Sequence, residues 1–177
     1  EVTVRILPKP ETARAVLLGF PTVESAGKCV ADVIAAGIIP AGMEMMDRPA
    51  IHAAEAFVNV GYPLDVDALL IVELDGPAAE CDYLVDEVAR IARDNGAVTS
   101  RMSKNEGERL AFWAGRKAAF PAVGRISPDY YCMDGTIPRG RLPEVLTRMG
   151  EMSAHYGLQV ANVFHAGDGN LHPLVLY

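Results

Sequence analysis

The sequence contains little cysteine and no long hydrophobic run. Its 177 residues include only three cysteines, Cys29, Cys81 and Cys132, which are scattered without the paired spacing of a metal site. An odd and sparse set argues against a disulfide framework and favours reduced thiols in a cytoplasmic protein. No apolar stretch reaches the roughly 18 residues that a membrane-spanning helix needs, and no signal-peptide pattern occurs. We therefore expect a chain that neither crosses a membrane nor carries an export signal of its own.

Positive charge is scarce as well. The chain has 16 lysines and arginines against 23 aspartates and glutamates, a net charge of −7 at pH 7. This balance argues against a nucleic-acid partner, because little in the chain would neutralise phosphates, and against simple electrostatic docking on anionic lipid. The hydrophobic fraction of 50% and the charged fraction of 22% are ordinary for a globular protein. The composition thus predicts one domain, or a compact pair of subdomains.

A glycine-rich phosphate loop is missing. The glycines of residues 135–140 lack the strand–turn–helix context in which such a loop cradles a dinucleotide phosphate. We therefore expect that this chain alone does not hold a dinucleotide cofactor tightly.

Alternating strand-like and helix-like segments predict an α+β fold. Two successive strand–helix–strand units indicate ferredoxin-like units, an antiparallel sheet covered by helices, and a closing β-hairpin around Asp168-Gly169. We expect Pro121 to end the helix that begins at residue 106. The predicted strands are 15–20, 38–46, 68–74, 97–102 and 130–133, and the predicted helices are 23–36, a segment around 84–92, 106–119 and 142–156.

The most informative feature is the run HAGDGNLH, residues 165–172, between two apolar strand-like segments. Asp168-Gly169 is a favoured central pair for a tight turn, because both positions tolerate positive φ. Counting outward from this pair places His165 opposite His172. Directly opposed residues project from the same face of a hairpin, with Cβ atoms roughly 4.5–5.5 Å apart. Two imidazoles so placed can share one metal ion at about 2.0–2.1 Å per nitrogen.

Other interpretations of these residues stay open at this point. Two facing histidines also form a hydrogen-bonded surface pair without any ligand, and a catalytic metal usually needs a third protein ligand from elsewhere. Arg116 suits bidentate capture of a carboxylate, although a solvated helix arginine is the simpler interpretation. We expect Asp168 mainly to form the turn, and Glu44 and Asp47 to pair with basic residues.

Four segments, taken in order and spacing, resemble the C-terminal domain of FAD-linked oxidases. The resemblance covers most of the chain and is closest to the glycolate oxidase branch of that family, which also includes D-lactate and D-2-hydroxyglutarate dehydrogenases. The segments are residues 40–47 with Glu-x-x-Asp, residues 111–117 with Trp-x-x-Arg, residues 134–138 ending in proline, and the histidine run 165–172.

The resemblance implies a longer flavoprotein that oxidises a small 2-hydroxy acid, glycolate or D-lactate, by hydride transfer to FAD. Residues 1–177 would be its substrate-binding cap domain, with the FAD-binding domain and a C-terminal segment outside this chain. Arg116 would hold the substrate carboxylate. Asn170 would place its amide near flavin or substrate, or would only satisfy the backbone of the turn. His165 and His172 would be catalytic, holding a divalent metal (zinc, manganese or iron) or hydrogen-bonding the 2-hydroxyl.

The same resemblance sets limits on this chain. Relatives supply a further ligand and a proton acceptor from a downstream Glu-His-Gly segment that this sequence does not contain, so we expect residues 1–177 alone to be catalytically inert. Some relatives have a substrate-binding lysine near the position of Cys132, and its replacement by cysteine favours a small monocarboxylate.

The resemblance also implies partners, and other classes of protein stay open beside it. The implied partners are other glycolate oxidase subunits, including an iron–sulfur protein, or a second copy in a homodimer. Partner subunits would hold the cytoplasmic protein at the periphery of the inner membrane. A metal-dependent hydrolase using the histidine pair and a non-catalytic ferredoxin-like binding module are the alternatives.

Overall fold

The computed structural model describes residues 2–6 and 9–177. Within them the chain alternates between strands and helices, as the sequence predicts. The strands are β1 (Thr12–Phe20), β2 (Gly42–Asp47), β3 (Ala68–Gly76), β4 (Thr99–Met102), β5 (Tyr130–Cys132), β6 (Gly135–Thr136), β7 (Val160–Phe164), β8 (Asn170–Leu171) and β9 (Pro173–Leu176). The helices are α1 (Val23–Ala35), α2 (Arg48–Val58), α3 (Ala78–Asp94), α4 (Glu106–Val123) and α5 (Leu142–Tyr156).

Seven of these strands form one antiparallel sheet in the order β4-β1-β3-β2-β7-β9-β5. The two strand–helix–strand units interleave in it, because β1 and β3 lie between β4 and β2. The short strands β6 and β8 pair separately. The predicted α+β fold, with ferredoxin-like units and a closing hairpin, is confirmed.

Helices cover both faces of this sheet, which gives two hydrophobic cores. Residues of α1, α3 and α5 fill one core, and residues of α2 and α4 fill the other. Side chains alternate between the faces along β2: Met43 and Met45 enter the first core, and Met46 enters the second. Glu44 therefore lies on the face that α4 covers.

The end of helix α4 and the presence of helix α2 differ from expectation. Helix α4 does not end before Pro121 but continues to Val123, with Ala122 and Val123 buried. The proline removes one backbone hydrogen bond from the last turn, and the burial of these two side chains offsets that loss. Helix α2 was not defined from the sequence, although Asp47 caps it and Pro49 lies in its first turn, which are ordinary start signals.

In the part of the chain that the structure describes, no helix is both long enough and apolar enough to span a bilayer.

Candidate functional site

The closing hairpin turns one residue earlier than the sequence predicts. His165 pairs with Asn170, not with His172, through backbone hydrogen bonds of 3.0 and 3.3 Å. The expected opposition of His165 and His172 is therefore wrong. Gly169, which has φ +72°, is the last residue of a four-residue loop and not a central residue of a tight turn.

The two histidine rings nevertheless meet. His172 is two residues beyond Asn170, and a displacement of two residues keeps a side chain on the same face of a strand. The ring centroids of His165 and His172 are 5.1 Å apart with an interplanar angle of 87°. The His172 ring also contacts Phe120 of α4 edge-on, at 6.2 Å between centroids. The two imidazoles therefore meet because their residues share one face of the hairpin, and not because the residues pair directly.

Contacts with two other segments hold the histidine loop in place. Gly167 donates its N–H to the Met43 carbonyl of β2 at 3.0 Å, and Ile137 donates to the Gly169 carbonyl at 2.9 Å. A Cβ on Gly169 would lie 2.3 Å from the Ile137 carbonyl oxygen, which no side chain tolerates. The loop is therefore wedged between β2 and the segment that follows β6.

Glu44 joins the histidine hairpin to helix α4. Its Oε2 lies 2.9 Å from Arg116 Nε and 2.8 Å from Nη2, and its Oε1 lies 2.8 Å from His165 Nδ1. The side chains of Glu44 and Arg116 are only 12% and 9% exposed. Charge-assisted hydrogen bonds of this kind are the stronger class in proteins. The expected pairing of Glu44 with a basic residue is confirmed, and it involves two partners.

A second carboxylate, that of Glu73, binds α4 nearer its start. Trp113, three residues before Arg116, donates its indole N–H to Glu73 at 2.5 Å, and Arg109 binds the same carboxylate oxygen at 2.5 Å. The indole also lies over Gly42, where a Cβ would approach the ring to 3.0 Å. Arg116 follows Trp113 by three residues and therefore lies about one turn further along the same side of α4. Sequence analysis gave no sign of the part played by Glu73.

A close contact with Tyr62 holds the same helix turn. A Cβ on Gly115 would lie 2.3 Å from the Tyr62 hydroxyl, and that hydroxyl donates to the Phe112 carbonyl. Burial raises the pKa of the Tyr62 phenol, so the group stays protonated and keeps donating. The residue just before Arg116 must therefore be small.

Asp47 does not pair with a basic residue, contrary to expectation. It is 6% exposed and accepts hydrogen bonds from the Ala50 N–H at 3.3 Å, the Asn162 N–H at 2.9 Å and the Asn162 side-chain amide at 2.7 Å. Burial raises its pKa to about 7, against the effect of those hydrogen bonds. Asp47 caps α2 and ties it to β7, which is a structural role.

The remaining candidates differ in how close they lie to the cluster. Asn170 is directly across the hairpin from His165, and its buried Oδ1 has no hydrogen-bond partner within the described residues. Asp134 lies 3.7 Å from His172 Nδ1, too far for a hydrogen bond, and is largely exposed. His52 contacts the Leu64 carbonyl elsewhere on the surface.

The described residues do not contain a complete metal site. Among residues 2–6 and 9–177 there is no group of three or more histidine, cysteine, aspartate or glutamate side chains that could hold a metal. Glu44 occupies the Nδ1 side of His165, so only Nε2 of that ring is open to a ligand. The two imidazoles of His165 and His172 are fewer than the three protein ligands that a catalytic metal usually has.

Fold and side chains together define an α+β domain with one polar cluster shared by β2, α4 and the closing hairpin. The cluster contains a buried arginine–glutamate pair and two adjacent imidazoles, and no phosphate-binding loop accompanies it in the sequence. The chain belongs to the family of the C-terminal domain of FAD linked oxidases, whose model matches residues 9–177.

Relatives of known function match the whole chain. It is 57% identical over 177 residues to the glycolate oxidase subunit GlcD of Escherichia coli K12, covering 100% of this chain and 36% of that protein. It is 29% identical over 180 residues to a probable mitochondrial D-lactate dehydrogenase of Danio rerio, covering 99% and 35%. A solved structure of alkyldihydroxyacetonephosphate synthase shares the fold, with a TM-score of 0.65 and 14% identity over 94% of this chain and 35% of that one. The chain thus spans about a third of the length of these proteins.

Proposed function

We propose that this chain is the substrate-binding cap domain of a flavin-dependent oxidoreductase, which converts a small 2-hydroxy acid, glycolate or D-lactate, into the 2-oxo acid. The observation that carries the proposal is the cluster in which Glu44 links Arg116 to His165, with His172 alongside. The names of the two relatives, a glycolate oxidase subunit and a D-lactate dehydrogenase, support the substrate class.

Arg116 binds the substrate carboxylate in this proposal. Its Nε and Nη2 face Glu44, while Nη1 makes no hydrogen bond within the described residues. One end of a buried guanidinium is therefore available to an anion. Because the group is buried, water competes less with the anion and the attraction between the charges is stronger than in bulk water. A carboxylate held there has its C2 carbon and 2-hydroxyl within one or two bonds of the anchored group.

His165 and His172 meet the 2-hydroxyl. The Nε2 of His165 is free to accept a hydrogen bond or to bind a metal, because its Nδ1 faces Glu44. Two imidazoles bound to one tetrahedral ion at about 2.0–2.1 Å per nitrogen place their ring centroids roughly 5 Å apart. The observed separation is 5.1 Å. We therefore include a divalent metal, zinc, manganese or iron, in the proposal.

The cofactors supply the redox chemistry and this chain supplies orientation. When bound, FAD supplies the hydride acceptor for C2, and a metal at the histidines supplies Lewis acidity toward the 2-hydroxyl. Asn170 is the candidate for a flavin contact, because its Oδ1 has no hydrogen-bond partner among the described residues and can accept from a flavin N–H or a substrate hydroxyl. The cofactor's phosphates would lie on the part of the protein outside this chain.

Association with other subunits belongs to the proposal as well, because the bacterial relative is itself named as a subunit.

Anaerobic mixing of the flavin-loaded protein that contains this chain with candidate acids tests the proposal. Glycolate or D-lactate should bleach the flavin absorbance. Propionate, which lacks the hydroxyl, and 1,2-propanediol, which lacks the carboxylate, should not. A flavin that dithionite reduces but that no 2-hydroxy acid reduces would contradict the proposal.

A further inference from the structure

We propose that Glu44 is the positioning residue of this site, with one carboxylate fixing both the orientation of Arg116 and the ring tautomer of His165. The inference rests on the proposed function and adds to it a residue that acts through Arg116 and His165. It predicts that a substitution of Glu44 alters both the orientation of the Arg116 guanidinium and the tautomer of the His165 ring.

Glu44 holds the guanidinium by one edge. Its Oε2 takes both Nε at 2.9 Å and Nη2 at 2.8 Å, so the group cannot rotate about its long axis without losing two contacts. An arginine side chain otherwise loses rotamer freedom when a ligand orders it. Because Glu44 has ordered Arg116 beforehand, substrate binding does not bear that cost.

The other oxygen of Glu44 determines the tautomer of His165. A carboxylate can only accept, so the 2.8 Å contact between Oε1 and Nδ1 requires the proton of the neutral ring to be on Nδ1. The lone pair is then on Nε2, the nitrogen open to substrate or metal. Carboxylates that bind a ligating histidine in this way orient the ring and raise its basicity. Within residues 2–6 and 9–177, His172 has no comparable contact, because Asp134 is 3.7 Å away and exposed.

The backbone of Glu44 has no freedom to compensate for a shorter side chain. Its neighbours on β2, Met43 and Met45, are buried in the opposite core, and the Met43 carbonyl binds the histidine loop. Aspartate at this position would be shorter by one C–C bond of about 1.5 Å. It could reach one partner at most. Glutamine keeps the length, but its amide oxygen can accept at only one of the two contacts.

Glu73 offers a matched control. Its carboxylate is on the neighbouring strand β3, is 17% exposed, and binds Arg109 of the same helix α4 at 2.5 Å. It also accepts from Trp113, but it does not contact Arg116 or either histidine of the hairpin. Glu73→Gln therefore weakens the docking of α4 as Glu44→Gln does, without disturbing the proposed alignment.

The experiment compares the unaltered flavin-loaded protein with Glu44→Gln, Glu44→Asp and Glu73→Gln. The first readout is flavin reduction by glycolate and D-lactate, analysed for the dissociation constant and the limiting rate. Loss of one hydrogen bond to a charged group, worth about 1.5–3 kcal/mol, corresponds to a roughly 10- to 150-fold change. Both Glu44 variants should lose substrate affinity by this order and also reduce more slowly. Glu73→Gln should keep both parameters even if its unfolding midpoint falls.

The second readout is independent of activity. Nitrogen-15 NMR of histidine-labelled protein, treated with a chelator at about pH 8 where an ordinary histidine is neutral, reports which ring nitrogen carries the proton. His165→Gln identifies the signal. The unaltered protein and Glu73→Gln should show Nδ1–H at His165, and Glu44→Asp should show a mixture of tautomers.

Two results would overturn the inference. One is equal loss of affinity and rate in Glu44→Gln and Glu73→Gln, which would make Glu44 only an anchor of α4. The other is a proton on Nε2 of His165 in the unaltered protein. If no 2-hydroxy acid reduces even the unaltered flavin, the proposed function fails, and the NMR signal alone decides whether Glu44 sets the tautomer.

Discussion

The imidazole rings of His165 and His172 lie 5.1 Å apart but in different surroundings. The His165 side chain is 44% exposed and its Nδ1 is held by Glu44. The His172 side chain is 16% exposed and is packed beside Phe120. Because separate contacts hold the two rings, replacing one should leave the other in position.

This independence makes the metal proposal testable one ligand at a time. His165→Gln and His172→Gln should each abolish most of the metal bound by the flavin-loaded protein, because a metal site rarely survives on a single imidazole. Elemental analysis of purified protein gives the measurement. His52→Gln and His155→Gln, at surface positions away from the cluster, should keep the metal. If the unaltered protein contains no metal after growth and purification in metal-supplemented medium, the histidines act as hydrogen-bonding groups alone.

Replacement of Arg116 by lysine should weaken substrate binding more than it weakens the fold. Lysine keeps the positive charge beside Glu44 but lacks the planar guanidinium, so it cannot be held by the glutamate in a fixed orientation while presenting a second edge to the substrate carboxylate. We expect the KM for glycolate or D-lactate to rise roughly 10- to 150-fold, the value of one charge-assisted hydrogen bond. Steady-state kinetics with an artificial electron acceptor measures it. Arg125→Lys, at a residue that lies over the Phe57 ring, serves as the control. An unchanged KM in Arg116→Lys would contradict a carboxylate-binding role.

Two glycines share a backbone conformation but differ in their surroundings. Their alanine variants therefore distinguish backbone strain from a steric clash. Gly169 has φ +72° and Gly157 has φ +65°, but only Gly169 has a backbone oxygen 2.3 Å from where its Cβ would be. Gly157→Ala should cost about 1–2 kcal/mol in the free energy of unfolding, from the left-handed conformation alone. Gly169→Ala should cost more and should also weaken substrate binding, because the histidine loop must move. Urea unfolding measures the first effect, and equal costs for the two variants would show that the loop yields without strain.

The buried carboxyl of Asp47 predicts a pH dependence of stability. Its pKa is raised from 3.8 to about 7 in the folded state, so the folded protein binds this proton more tightly than the unfolded chain does. The contribution is fully present below about pH 4 and is lost as the pH rises to about 7.

Asp47→Asn should flatten this part of the profile, since asparagine also caps helices but does not titrate. Urea midpoints at several pH values between about 4 and 8 test it. Asp67→Asn, at an exposed residue paired with Arg48, is the control and should leave the slope unchanged. An unaltered slope in Asp47→Asn would assign the pH dependence to other groups.

The fold could be predicted because its signals are local. Alternating apolar strands, amphipathic stripes and terminating residues such as Gly37 give most element boundaries to within a few residues, and the order of these elements indicates the interleaved sheet. The start of helix α2 is also encoded locally, by the capping Asp47 and by Pro49 in the first turn.

The details of the site depend on contacts between distant segments. The register of the hairpin is set by Ile137 and Met43 acting on Gly169 and Gly167, and no property of residues 165–172 encodes those contacts. The double role of Glu44 has the same origin, because its partners are 72 and 121 residues away along the chain. The sequence predicts the histidine pair even so, because the partner of His165 differs from the expected one by two residues. A shift of two residues keeps a side chain on the same face of the hairpin.

The most direct test of the central claim is equilibrium binding of the 2-oxo acid product to the oxidised flavoprotein, where no reaction follows. Glyoxylate or pyruvate should perturb the flavin spectrum of the unaltered protein and of Glu73→Gln with equal affinity. Binding should weaken at least tenfold in Arg116→Lys and in the His165→Gln/His172→Gln double variant, because each loses a group that meets the carboxylate or the adjacent oxygen. Equal affinity in all four proteins would show that the substrate site lies elsewhere and would contradict the account.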